Sequence, residues 1–142
     1  MAVVRKIQQQ VPGILPETIY ADFFANFDLH PNKNDLSLHR NEAAVKRSIR
    51  NLLLTNRGER LYDSDIGSDL RAVLFEPISP QTEQTLRNYI TETIENYEPR
   101  AELFGVEVTM LPDENAYVAT IAFRLINSTD PIQFDVLLQR IR

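Results

Sequence analysis

From Asn41 onward the apolar positions fall at two regular spacings. Val45, Ile49, Leu52 and Leu53 recur at helical spacing, which places them on one face. Asn41 stands where an N-cap belongs, and Arg57-Gly58 supply a basic last turn and a stop. Lys46, Arg47, Arg50 and Arg57 decorate this predicted helix as a basic stripe, which is either a solvated face or a contact for an acidic partner. Gly58 to Gly67 reads as an ordered loop, with Gly58, Glu59, Arg60 and Gly67 as its structural residues. A short helix follows from Asp69 to Phe75, with Leu70, Val73 and Leu74 on one side, and Glu76-Pro77 ends it. Ser79-Pro80 opens the longest helix with a good N-cap and proline at the first position. Leu86, Tyr89, Ile90, Ile94 and Tyr97 form its apolar stripe, and Glu83 with Arg87 adds an i,i+4 pair. About 18 residues at 1.5 Å each make a rod of roughly 27 Å, stopped by Pro99.

Beyond this helix the period changes from helical to two. Val106, Val108 and Met110 face one way, while Glu107 and Thr109 face the other. Tyr117, Ala119, Ile121, Phe123 and Leu125 make a second row, and Ile132, Phe134, Val136 and Leu138 a third. Turn clusters at Pro112–Asn115 and Asn127–Pro131 separate them, so the pattern predicts an antiparallel meander. Helices first and strands last give an α+β domain, residues 41–142, with a three-stranded antiparallel sheet packed on the long helix. Residues 1–40 lack either period. They hold Pro12, Pro16, Pro31, both histidines and the aromatic cluster Tyr20, Phe23, Phe24 and Phe27. This segment reads as an N-terminal arm that packs locally through its aromatics.

Composition narrows the function. A length of 142 residues suits one domain. Cysteine is absent, which removes disulfides, thiolate metal sites and a cysteine nucleophile. A net charge of −5 is the wrong sign for a typical nucleic-acid binder, because phosphate neutralisation supplies most of that affinity. No apolar run approaches the ~20 residues that span a bilayer, and the N-terminus lacks a signal peptide's apolar stretch. The expectation is a soluble protein with no membrane or nucleic-acid partner.

Catalytic templates fare poorly. His30 and His39 both lie in the arm and suit local hydrogen bonding, and no Gly-x-Ser-x-Gly elbow is present. Gly13, Gly58, Gly67 and Gly105 are too scattered for a phosphate loop or a dinucleotide fingerprint. Asp63-Ser-Asp-Ile-Gly67-Ser-Asp69 suggests a calcium loop, but glycine falls at position five and Leu74 at position twelve. Asn127-Ser-Thr129 is a formal glycosylation sequon that reads as a polar turn. Glu76 and Glu98 each precede a proline, yet nothing fixes them across a cleft as a glycosidase requires. The chain is expected not to be an enzyme and to need no metal or cofactor.

Two features depart from a plain scaffold. Glu98-Pro99-Arg100 sets opposite charges around a rigid proline at a helix-to-strand junction. It is either a helix terminator with a local ion pair or a polar clamp for another chain. The last strand also runs to Arg142 with no covering element, so its edge either accepts another strand or is guarded by Gln139-Arg-Ile-Arg142.

These features occur in an ordered series: Asn41-Glu-Ala-Ala-Val-Lys-Arg-Ser-Ile-Arg-Asn-Leu-Leu-Leu-Thr-Asn-Arg-Gly-Glu-Arg60, Ile66-Gly-Ser-Asp-Leu70, Leu74-Phe-Glu76, and a long helix ending in Asn96-Tyr-Glu-Pro-Arg100 before three strands. From about residue 20 to residue 142 the chain resembles the baseplate wedge sheath-initiator family of contractile-tailed phages, which is related to the baseplate component of type VI secretion systems. The Glu-Pro-Arg turn after a helix is that family's signature, and the long segment before Asn41 is similar to its phage branch. The resemblance implies a structural protein of the virion's tail baseplate, assembled in the host cytoplasm with six copies per baseplate. It implies that Glu98, Pro99 and Arg100 contact the wedge's helical core bundle. It also implies that the C-terminal sheet, through Tyr117, Ile121, Phe123, Phe134, Val136 and Leu138, takes up arms of the first sheath ring and starts sheath assembly. The implied partners are other wedge subunits, the sheath protein and the tail tube. An equivalent adaptor of a secretion system or tailocin is the alternative; a small lysozyme-like hydrolase finds no support in these residues.

Overall fold

A computed structural model describes residues 19–139 apart from positions 25 and 34. Readings that rest on Pro12, Gly13, Pro16 and positions 140–142 therefore lie outside the described residues. The order is β1 (Ala21–Phe23), β2 (Leu38–Arg40), α1 (Glu42–Leu54), α2 (Leu70–Val73), α3 (Pro80–Tyr97), β3 (Ala101–Leu111), β4 (Ala116–Leu125) and β5 (Ile132–Gln139).

The α+β architecture expected from the two periods is the one formed. The three long strands make an antiparallel sheet in the order β3-β4-β5, with α3 lying along one face, chiefly against β3. Alternation explains the face: Tyr117, Ala119, Ile121 and Phe123 of β4 are buried together with Val136 and Leu138 of β5. They meet Leu86, Ile90 and Ile94 of α3 and Val45, Ile49 and Leu53 of α1 in one core. Phe123 and Phe134 pack edge to face with ring centroids 5.9 Å apart. Full burial of each such aliphatic or aromatic side chain contributes about 1.5–3 kcal/mol before entropy is charged against it. The start of α3 follows the local rule: the Ser79 hydroxyl accepts from the Thr82 N–H at 3.2 Å, with Pro80 behind it.

Four local expectations change. Asn41 sits at the N-cap of α1 without capping it; its side-chain oxygen instead accepts from the N–H groups of Ile19 (2.9 Å) and Tyr20 (3.2 Å). The anticipated basic last turn is absent, because α1 ends at Leu54 and Arg57 lies beyond it, 3.4 Å from Asp69. The first long strand starts at Ala101, earlier than its alternation suggests, because a bulge at Phe104 shifts the register between Leu103 and Gly105 and breaks the period. Finally, the arm contains a small antiparallel hairpin, β1 on β2, with Asp22 opposite His39. Its strands are three residues each, too short to leave a period in the sequence.

The loop between α1 and α2 is held by backbone proximity. Ser68 donates from its N–H to the Thr55 carbonyl (2.9 Å) and from its hydroxyl to the Leu53 carbonyl (2.7 Å). Glu59 folds back to accept from the Asn56 N–H at 2.9 Å. Gly67 adopts φ +134°, and a Cβ there would meet the Thr55 carbonyl oxygen at 2.7 Å. Gly58 also has positive φ but faces open space. Gly67→Ala should therefore lower stability by about 2–3 kcal/mol, whereas Gly58→Ala should cost about 1 kcal/mol. Urea unfolding midpoints of the two variants check this contrast, and equal losses would show that the Thr55 contact does not matter.

Candidate functional site

Proline dictates the turn that follows α3. Glu98, the residue before Pro99, leaves the helical region (φ −125°, ψ 76°) while its N–H makes a last helical bond to the Ile94 carbonyl. The Ala101 N–H then donates to the Glu98 carbonyl at 3.2 Å, and the Ile126 N–H donates to the Arg100 carbonyl, so the turn feeds directly into β3. Pro99 is exposed at its tip.

The two charges flanking Pro99 point at each other. The Glu98 side chain is 2% exposed, and Arg100 grips it with two parallel bonds, Nε to Oε1 at 2.7 Å and Nη2 to Oε2 at 2.8 Å. The third guanidinium nitrogen, Nη1, reaches Asp22 Oδ2 at 3.5 Å. The guanidinium also lies 5.5 Å from the Tyr20 ring centroid. One arginine thus joins the end of α3, the start of β3 and the N-terminal hairpin. Burial disfavours the charged form of Glu98, but hydrogen bonds from Arg100 and Ser48 and the guanidinium's charge outweigh it and hold the carboxyl below its usual range. The Glu98 hydrogen bond chiefly raises the Arg100 pKa against its own desolvation. Sequence reasoning had no access to Asp22, Tyr20 or Ser48: they lie far away along the chain, and nothing in their spacing marks them.

The strand residues divide by position. Tyr117, Ile121 and Phe123 belong to β4, which is paired on both sides and buried. An incoming chain finds no free backbone there. Phe134, Val136 and Leu138 lie on the outer strand β5, with Val136 and Leu138 buried and Phe134 partly so. The Asp135 carbonyl accepts from Arg50 Nη2 at 3.4 Å, so it points off the sheet. Because backbone groups alternate, Gln133 and Leu137 also turn their N–H and C=O outward. Of the loop residues, Gly58, Glu59 and Gly67 sit in the backbone contacts described above, while Arg60 is exposed and makes no ion pair among the described residues.

The other singled-out residues serve locally. The His30 ring accepts from the Asn32 N–H, and His39 stacks on Phe24 at 3.9 Å. Asn127 donates to the Tyr20 hydroxyl. Among the described residues no three His, Asp or Glu side chains are grouped to hold a metal ion.

Comparison with known proteins gives a consistent answer. Residues 39–129 match the family model described as baseplate wedge protein gp25. The chain is 30% identical to baseplate wedge protein gp25 of Enterobacteria phage T4 over 115 residues, 81% of this chain and 86% of that protein. A protein of Geobacter sulfurreducens proposed to be a tail lysozyme superposes with a TM-score of 0.65 at 25% identity, over 69% of this chain and 89% of its own. A chain of the six-fold symmetrised baseplate of the anti-feeding prophage superposes with a TM-score of 0.59 at 21% identity, over 87% of each.

The buried pair yields two measurable expectations. Arg100→Ala strands the Glu98 carboxylate and should destabilise the isolated protein by about 3–5 kcal/mol, read from urea unfolding; a loss below 1 kcal/mol would show that the pair is not a structural element. Since the folded state lowers the Glu98 pKa, its stabilisation is complete above the unfolded value of about 4.3 and is lost as pH falls through the lowered one. Stability of the wild type should drop through that acid window, and Glu98→Gln should flatten the drop.

Proposed function

Because the chain belongs to the gp25 family of baseplate wedge proteins, components of contractile-tail baseplates, we propose that it nucleates the sheath from the wedge. In this reading the outer edge of β5 takes up an extended arm of a sheath subunit. The observation that carries it is the β5 edge itself. Its eight residues pair with β4 without a register break, and its other side has no strand among the described residues. The opposite edge, β3, is a poorer template, because its bulge at Phe104 disrupts the row of backbone groups. A three-stranded sheet with one open side gains backbone hydrogen bonds from an added strand, and alternate side chains set its register.

At the turn after α3, the exposed Pro99 and the outer side of Arg100 form a rigid tip for the wedge's helical core bundle. Glu98 serves this contact from beneath, by fixing the guanidinium. A tail with six-fold symmetry would carry six copies in a ring, so that contacts individually weak act together. The sheath protein, neighbouring wedge subunits and the tail tube are the expected partners, with assembly in the host cytoplasm. No cofactor, metal, membrane or nucleic acid enters this account.

Hydrolysis is the weaker reading despite the fold shared with a proposed tail lysozyme. A general acid needs a raised pKa, whereas the one buried carboxylate among the described residues is lowered and doubly bonded to arginine.

Two variants separate the contacts while sparing the core. Pro99→Glu alters the exposed tip and should abolish co-purification with the wedge neighbours. Leu137→Pro removes an outward N–H, not a ladder bond to β4, and should leave wedge assembly intact while blocking sheath growth. Sheath growth on Leu137→Pro wedges would remove β5 as the acceptor. Retained wedge binding by Pro99→Glu would remove the tip.

A further inference from the structure

Beside the Arg100 cluster lies a polar recess of about 370 Å³ between α1, the hairpin and the 58–67 loop. Arg47 of α1 and Arg60 of the loop border it, together with Ser48, Asn51 and Tyr97. Neither arginine has an anionic partner among the described residues, in a chain whose acids outnumber its bases by 20 to 15. The Nε of Arg47 is buried without a hydrogen bond. A guanidinium N–H kept out of water with no acceptor is unfavourable, the more so because the group is charged. Asp22, the one carboxylate on the rim, is shared with Arg100.

We propose that this recess is a socket for an acidic side chain, aspartate or glutamate, of a neighbouring baseplate subunit. Two guanidiniums offer the forked donors that match a carboxylate. Phe23, Leu52 and Ile66, which also line the recess, would receive the aliphatic stem of the entering residue. A doubly charged phosphate suits the site less well, because it would add repulsion against Asp22. The socket sits next to the Glu98-Pro99-Arg100 turn through Asp22 and Tyr97, so one partner chain can span both. The walls of the socket are themselves fixed: the Tyr97 hydroxyl donates to the Asp65 carbonyl at 2.7 Å and ties the loop that carries Arg60 to the end of α3.

The inference rests on the baseplate reading, and its test keeps the two apart. The full chain is co-expressed with the wedge subunits of its own tail, as wild type, Arg60→Glu, Arg47→Met and Lys33→Glu, the last an exposed control with the same charge change as Arg60→Glu. Arg60→Glu and Arg47→Met should each lower the co-eluting wedge partner by about tenfold, with Lys33→Glu unchanged. Their melting temperatures as isolated proteins should stay within about 2 °C of wild type or rise. Added salt should weaken the wild-type complex more than what remains of Arg60→Glu binding. Undiminished binding by both arginine variants overturns the socket while leaving the baseplate reading in place. So does a fall in melting temperature that accounts for the loss, since the arginines would then serve the fold. A wild type that joins no wedge subunit overturns the baseplate reading and the socket together.

Discussion

Glu98 is buried where α3 hands the chain over to β3, and a carboxylate at that depth is tolerable only when both of its oxygens are satisfied. Arg100 satisfies them two residues later, and can do so because Pro99 sets the direction of the backbone between the two. Much of the architecture is referred to this point. The long helix ends here, the sheet begins here, and the hairpin is drawn in by Asp22 and Tyr20 on the far side of the same guanidinium. Burying an ion pair adds little net stability compared with apolar packing. What it supplies is a defined geometry at a junction where a purely apolar contact would leave the exit angle of β3 less determined.

The turn and the β5 edge differ in kind. The turn is rigid and wholly committed to internal contacts except for its outer surface. The β5 edge differs: its inner face is packed into the core through Val136 and Leu138, and among the described residues no strand pairs with its outer side, where the Asp135 carbonyl accepts from Arg50 of α1. The two proposed tasks, anchoring to the wedge and adding a sheath strand, suit this division. Anchoring needs a preformed surface with little entropy to lose, whereas strand addition needs an unfilled template.

Membership of the gp25 family rests on the ordered series of elements across most of the chain rather than on any one motif. The likeness to a proposed tail lysozyme concerns the backbone, and a shared fold does not transfer chemistry. In this chain the buried carboxylate among the described residues is Glu98, which Arg100 holds below its usual range.

The elements from residue 41 onward were legible because each obeys a rule acting over a few neighbours. Leu86, Ile90 and Ile94 mark one helix face, Ser79-Pro80 marks its start, and the alternation from Tyr117 to Leu125 marks a central strand. Where a side chain finds its partner across space, local rules failed. Asn41 resembles a cap in sequence but bonds to the hairpin's leading residues, and the Phe104 bulge hides the start of β3. Glu98-Pro99-Arg100 stood out as charges around a rigid proline, yet the sequence left open whether they faced outward or each other. The sequence by itself thus determined the helices, the meander and the family. Only the tertiary structure decided that Glu98 and Arg100 close on one another, that Asp22 and Tyr20 join them, and that β5, unlike the doubly paired β4, has a strand on one side alone among the described residues. Periodicity records which residues face the core, whereas charge partners and strand order depend on how separate segments are folded together.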